Sequence, residues 1–549
     1  MLFNSPEFLL FFALVYGLYL LLPFRPQNFM LLLASYVFYG WWDARFLFLV
    51  VLSTVVDFWV GLMLANGQLT AKQRLLPAVF LVLSAVLFLG FNFNDIGMHD
   101  SSIYTLIRIK SVFLALAGVC LYLVALFILY ELFKRSKGPD RRLLYLMVSL
   151  VTQLCLLGIF KYFNFFADSL VSALNNIGID THQLHLNIVL PVGVSFYTFQ
   201  SLSYTIDIYR KQFEPTGRFF DFALFVAFFP QLQAGPIERG RQLIPQLSRP
   251  RVVNIDQFSR GAYLIVLGFF KKVAIADGAA PIVDQIFAST GRVTFIDVVV
   301  GSVLFAVQIY CDFSGYTDVA RGIAKLMGIE LMVNFDQPYF ATNPQDFWRR
   351  WHISLSTWLR DYLYVPLGGS RGNLLFICRN LMITMLLGGL WHGAAWNFVL
   401  WGFYQGTLLC IYRAWTEIRI KANPQQRLQP ISIWRRKVLH VAANLVFFLF
   451  VCYGWLLFRA HSFSQIFQLS SLLVRDFGDL DYGGGTPRLS SLIGIPLLIC
   501  LEIIQYGSGN GRYYRRFPPP LRGFLVAALL VITMMGMSNE PAQFIYFQF

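Results

Sequence analysis

Charge is what this chain has least of. Only 13% of its 549 residues are Asp, Glu, Lys or Arg, about half the share expected of a soluble domain. Hydrophobic residues make up 57%, and the mean hydropathy is +0.59. That balance excludes a soluble enzyme and places the chain among polytopic membrane proteins. Acidic residues are the rarer sign, 29 against 44 basic ones, for a net charge of +15. The basic residues sit in loops and form no single face, so the charge reads as membrane orientation, and no nucleic-acid partner is expected. Cysteine is sparse and scattered: Cys120, Cys155, Cys311, Cys378, Cys410, Cys452 and Cys500 lie mostly inside apolar runs. They show neither paired nor metal-ligand spacing, so small buried hydrophobes are expected and no metal site. The opening MLFNSPEF has no basic n-region and no small-residue cleavage site follows, so the first helix is expected to be a retained span. No internal repeat is visible, which weighs against a transporter built from repeated halves.

What is present is a succession of apolar runs in a lipid setting. Spans are expected at about 8–24, 29–41, 46–65, 75–91, 112–133, 143–166, 188–209, 261–277, 295–311, 374–391, 394–412, 439–458, 490–506 and 521–537. The loop Lys134–Arg142 and the basic run Arg413–Lys437 mark the cytoplasmic side. The segment Ala167–Asn187, which has no Lys or Arg, marks the outside, and counting from these anchors puts both termini outside. Phe219–Gln233 is apolar but short, with basic segments on either side, and reads as re-entrant. Asp57 and Lys161, inside or beside spans, are expected to be paired or snorkelling.

Asn343–Ser370 is too polar to span. At helical spacing Trp348, Trp351, His352, Leu355, Trp358, Leu359 and Tyr362 fall on one face, and Arg349, Arg350, Ser354, Ser356, Arg360 and Asp361 on the other. An amphipathic helix is expected, with His352 in a water-poor aromatic stripe where its pKa is open to tuning. His392 ends the apolar run Leu374–Trp391 in the glycine-bracketed stretch GGLWHGAAW. An ionisable residue at membrane depth marks a functional site by default.

Five ordered blocks carry a resemblance. They are PVGVSFYTFQSLSYTIDIYR (Pro191–Arg210), FFPQLQAGPIERG (Phe228–Gly240), QIYCDFSGYTDVARGIAKLMGI (Gln308–Ile329), QPYFATNPQDFWRRWHISLSTWLRDYLYVPLGG and GGLWHGAAWNFVLWG. Together they resemble the bacterial alginate O-acetylase branch of the membrane-bound O-acyltransferase (MBOAT) family, densely over 191–401 and more loosely outside it. The resemblance implies one integral membrane domain over 1–549, all-α, with a ring of transmembrane helices around a central funnel and with re-entrant and amphipathic helices. The segment 75–142 departs from the family as an apparent two-span insertion, and 538–549 is expected as an external C-terminal tail.

The implied activity is transfer of an acyl group, usually acetyl, from a cytoplasmic thioester across the bacterial inner membrane, for O-acetylation of an exported polysaccharide such as alginate or cellulose. No bound cofactor is implied, only acetyl-CoA or another acyl thioester as donor substrate. The implied partners are an exported acetyltransferase or acceptor protein on the periplasmic side and a polysaccharide synthesis and export complex. The family's WHG histidine matches His392 and its second histidine matches His352. A neutral imidazole at His392 can take the proton of a hydroxyl attacking a thioester, and Gly388, Gly389 and Gly393 are expected to admit the substrate. His352 is open to three roles: direct catalysis, substrate binding and helix packing.

Further polar residues are candidate funnel-lining groups. Asp312, Ser314, Tyr316 and Asp318 interrupt the run ending near Cys311, and Asp312 is a candidate acid partner for either histidine. Arg349, Arg350 and Arg360 suit either a nucleotide's phosphates or lipid head groups. Asn397 suits either holding a carbonyl or capping a helix. The terminal Phe544, Tyr546 and Phe549 are similar to C-terminal tails among bacterial acyltransferases of this class, which would make Tyr546 an acyl carrier; an aromatic interface belt uses the same residue types. The alternatives to an enzyme are a proton-coupled transporter and a non-catalytic scaffold of an export complex.

Overall fold

The computed structural model describes residues 1–91, 109–134, 139–181, 185–186, 188–289, 291–422, 432–509, 511, 513–538 and 544–545. Their regular structure is helical, as the composition requires, and nine described helical segments are long and apolar enough to cross a bilayer. Five expected spans fall short of that standard. Pro6–Leu21 and Phe24–Gly40 are 16 and 17 residues long. The span expected over 188–209 forms a helix only from Val194, because Pro191 and Gly193 hold the chain out of helix before it. The one at 261–277 is broken by a π-helical turn carrying Lys271 and Lys272, and polar side chains dilute Trp396–Ala422. The chain divides into two compact units, residues 1–258 with 324–331, and residues 259–323 with 332–549.

In the first unit, α1 (Pro6–Leu21), α2 (Phe24–Gly40), α3 (Leu47–Asn66), α4 (Ala71–Gly90), α5 (Ile109–Lys134), α6 (Pro139–Leu157), α7 (Phe163–Asn176) and α8 (Val194–Tyr209) are followed by α9 (Phe219–Ala227), α10 (Phe229–Leu232) and α11 (Gly240–Leu247). Capping residues fix several starts: Ser5 accepts from Phe8 N–H, and Thr70 and Gln73 form a reciprocal capping box. The apolar window through α3 is 89% buried, whereas that of α5 is 6% buried, so α3 is the core of this unit and α5 turns its side chains outward. Nine residues of α9 extend about 14 Å, less than half a bilayer core, and its side chains from Phe222 to Ala227 are fully buried. This agrees with a segment too short to span. Asp57 of α3 differs from expectation. Its carboxylate accepts from Ser149 Oγ at 2.6 Å and Gln153 Nε2 at 2.8 Å, so hydroxyl and amide groups hold it in place of a cation.

The second unit contains α12 (Ile255–Phe269), the π-helical turn Phe270–Ala276, α13 (Asp277–Ala288), α14 (Phe295–Leu326), α15 (Pro344–Arg350), α16 (Ile353–Leu359), α17 (Leu374–His392), α18 (Trp396–Ala422), α19 (Ile433–Arg459), α20 (Phe463–Arg475), α21 (Leu489–Ser508) and α22 (Pro519–Gly536). The run expected to end near Cys311 continues as α14 through its polar residues, because Asp312 and Asp318 are buried against charged partners inside the unit. The amphipathic helix expected over Asn343–Ser370 is also corrected. It is two seven-residue helices separated at Trp351–His352, where His352 takes a left-handed backbone, φ +42°. The single aromatic stripe therefore does not exist, and His352 is placed by a kink.

A candidate acyl-transfer site

The kink has an identifiable cause. The Asn334 side-chain oxygen accepts from Ser354 N–H at 3.2 Å and from Ser354 Oγ at 2.8 Å, and the backbone carbonyl of Asn334 accepts from Ile353 N–H at 2.9 Å. The start of α16 is thus tied to one residue, and that tie offsets the cost of the left-handed conformation. The same oxygen lies 3.2 Å from His352 Nδ1. A backbone N–H can only donate, so the Asn334 atom facing Ser354 N–H is the oxygen, and His352 Nδ1 carries the proton. Nε2 keeps the basic lone pair. His352 is fully buried, and burial lowers its pKa from 6.5 to about 3, so the ring is neutral at physiological pH.

His392 is the last residue of α17 and is 5% exposed. Its ring meets Trp401 edge-on at 5.1 Å and 87°, and Phe458 at 5.4 Å and 79°. Trp391 joins the two histidines, with ring centroids 5.1 Å from His392 and 5.8 Å from His352. Phe313 closes on His352 edge-on at 4.7 Å. Both imidazoles therefore stand in one aromatic enclosure within the second unit. Asn397 holds one wall by donating to the backbone carbonyls of Ala460 at 3.0 Å and Phe458 at 3.4 Å, so the carbonyls its amide meets are the chain's own.

The glycines around His392 serve packing more than substrate access. A Cβ on Gly389 would lie 2.2 Å from the Phe398 carbonyl oxygen, and one on Gly402 would lie 2.4 Å from that of Met385, so α17 and α18 pack with their backbones in contact. A Cβ on Gly393 would strike the Phe398 ring at 2.1 Å, and one on Gly388 would come within 3.1 Å of Leu359.

Asp312 partners neither histidine. One carboxylate oxygen lies 2.7 Å from Lys272 Nζ, and the other accepts the Ile545 N–H at 2.7 Å. Asp318 pairs with Lys271 at 2.9 Å and Arg321 at 3.1 Å. Ser314 and Tyr316 are buried on the same helix. Lys271, Lys272, Asp277, Asn334 and Trp391 were not legible as site residues. The two lysines had a signal, since a cationic pair inside an apolar run is costly unless it does something.

Arg349 and Arg360 line one cavity of about 500 Å³ with Arg413, Ser356, Thr357 and Thr416. Arg350 is used elsewhere, on Asp346 at 3.0 Å and over the Tyr506 ring. Of the terminal aromatics, Phe544 is 1% exposed and packs on Tyr316 at 4.8 Å, which is not the setting of an interface belt; Tyr546 and Phe549 lie outside the described residues.

Two buried imidazoles in an aromatic enclosure of a multi-pass membrane protein define a class, that of membrane enzymes working on groups brought into the protein. Residues 216–456 match the family model described as MBOAT, membrane-bound O-acyltransferase. The chain is 39% identical over 510 residues to a probable alginate O-acetylase of Azotobacter vinelandii, covering 92% of this chain and 85% of that one. It is 33% identical over 434 residues to a peptidoglycan O-acetyltransferase of Helicobacter pylori, covering 74% and 75%. It is 28% identical over 293 residues to a teichoic acid D-alanyltransferase of Bacillus subtilis, covering 50% and 70%. This chain belongs to the membrane-bound O-acyltransferase family and is an O-acyltransferase.

Proposed function

We propose that this enzyme moves acetyl groups from a thioester donor, acetyl-CoA or another acyl thioester, on the cytoplasmic side of a bacterial inner membrane. The acceptor is an exported polysaccharide, with both chain ends on the periplasmic side. The observation that carries the reading is the pair His392 and His352 around Trp391. The family relationship supports O-acylation, and the acetylases among the relatives favour acetyl over D-alanyl. Alginate, the polymer in the name of the Azotobacter vinelandii relative, is the first acceptor to test, and cellulose the second. An exported acetyltransferase or acceptor protein, within a polysaccharide synthesis and export complex, takes the group onward.

His392 acts as general base, worth about 10²–10⁴-fold when well placed. A hydroxyl oxygen attacks the thioester carbonyl, His392 takes its proton, the C–S bond breaks, and the departing thiolate receives that proton. The surrounding Trp and Phe rings keep water from hydrolysing the thioester. His352, neutral with its Nε2 lone pair free of the proton, either orients a reactant or shares the proton transfer. Arg349, Arg360 and Arg413 offer fixed positive charge for a donor's phosphates. We assign the acyl-carrying hydroxyl to Tyr546: its phenol takes the acetyl group as an aryl ester and yields it to the acceptor hydroxyl, regenerating the phenol. Tyr546→Phe removes that oxygen and keeps the ring. Polymer-bound acetate should fall to background with protein levels unchanged, and an acetyl group should appear on the wild-type C-terminal peptide by mass. Normal acetate together with an unmodified peptide would return the reaction to direct transfer.

A further inference from the structure

An ion chain is buried beside the π-helical turn. Lys272 Nζ lies 2.8 Å from Asp277 and 2.7 Å from Asp312, with all three side chains less than 10% exposed. One ammonium thus faces two buried carboxylates, whose remaining oxygens call for further donors. The backbone N–H of Ile545 supplies one, 2.7 Å from the second oxygen of Asp312 and 233 residues away in sequence. Ile545 is 3% exposed and Phe544 1%. Phe544 sits on Tyr316 at 4.8 Å and near Phe313 at 6.0 Å, and Phe313 is the ring that meets His352 edge-on. The helix α22 ends at Gly536, where a Cβ would lie 2.7 Å from Ala274 of the same π-helical turn.

We propose that Asp312 is the positioning residue for the C-terminal segment. Held by Lys272, it docks Phe544 and Ile545 beside the His352 enclosure. The contact is built like peptide recognition: a main-chain N–H gives affinity, and an aromatic seat reads one side chain. The Ile545 N–H and the Phe544 ring both seat the segment. The purpose of docking rests on the acyl-carrier reading, since Tyr546 follows Ile545 in the chain; the docking itself does not.

The test uses the full-length protein in lipid nanodiscs. The exposed cysteines Cys120, Cys155 and Cys500 are replaced by Ser, and Ile545→Cys provides a probe that keeps the backbone N–H. Maleimide should react slowly in this parent and about 10- to 100-fold faster with Asp312→Ala, the change carried by one charge-assisted hydrogen bond. Asp312→Asn keeps the shape and an acceptor oxygen, so it should fall between the two and covers the case in which Ala does not fold. Ile545→Pro, made without the probe, deletes the donor and leaves the ion chain whole; polymer acetylation should drop as it does in Asp312→Ala. Labelling that stays slow in both folded Asp312 variants would overturn the docking. Labelling that accelerates while acetylation holds would uphold the docking and remove the acyl-carrier reading instead.

Discussion

Asn334→Ala is the most discriminating single change outside the histidines. It removes the oxygen that accepts from Ser354 N–H, Ser354 Oγ and His352 Nδ1. Leaving three buried donors without an acceptor costs about 1–3 kcal/mol each, about 3–9 kcal/mol in all, partly recovered if Ser354 Oγ turns to another acceptor or water enters. The protein should therefore accumulate at a lower level yet still insert. The larger effect is on the ring. Without the acceptor, His352 is free to move its proton to Nε2 and to leave its left-handed position. In a comparable arrangement, holding the wrong tautomer costs about 10⁴-fold; here a loss of 10²-fold or more is expected. Asn334→Asp keeps an acceptor at the same place and should retain more activity than Ala at equal protein level. The assay is polymer-bound acetate divided by membrane-inserted protein. An Asn334→Ala enzyme working within about twofold of wild type would refute the argument that this oxygen sets the His352 ring.

Other outcomes follow from the same geometry. Gly389→Ala drives a methyl against the Phe398 carbonyl, 2.2 Å away, and should cut folded yield sharply, read by size-exclusion chromatography; Gly507→Ala, with open space at its Cβ, should not. The folded pKa of His352, about 3, lies below its unfolded value of 6.5. Its contribution to stability is therefore complete above pH 6.5 and is lost as pH falls towards 3, at about 1.4 kcal/mol per pH unit. Melting temperatures in detergent should decline more steeply over that window for wild type than for His352→Gln; identical slopes would contradict a buried neutral ring. For orientation, a reporter within 134–142 should register the cytoplasm and one within 167–187 the outside, and reversed signals would invert the side that receives the donor.

The class of fold was legible because lipid leaves helices as one of few ways to satisfy the backbone, and the apolar runs follow from that. Both histidines were legible as candidates because ionisable groups are scarce in such runs. The helix around His352 was misread because periodicity assumes continuous helix. What breaks it is Asn334, a residue 18 positions away that a helical wheel cannot see. The partners of Asp312 were hidden for a similar reason: it was a candidate for either histidine, and it meets Lys272 and a terminal backbone N–H 233 residues distant. The glycines beside His392 were read as substrate access, whereas their missing Cβ atoms are needed against Phe398 and Leu359, which only packing reveals. Asp57 was expected to find a cation; a serine and a glutamine one helical turn apart on another helix meet the need instead.

The central claim is that His392 takes the proton from the hydroxyl that attacks the thioester. The most direct measurement is release of free thiol from an acetyl thioester by purified His392→Gln protein with acceptor present. It should be compared with wild type at matched folded concentration and matched donor binding. The account predicts donor binding within about twofold and thiol release reduced at least about 100-fold. Thiol release at the wild-type rate from a folded His392→Gln enzyme would contradict it.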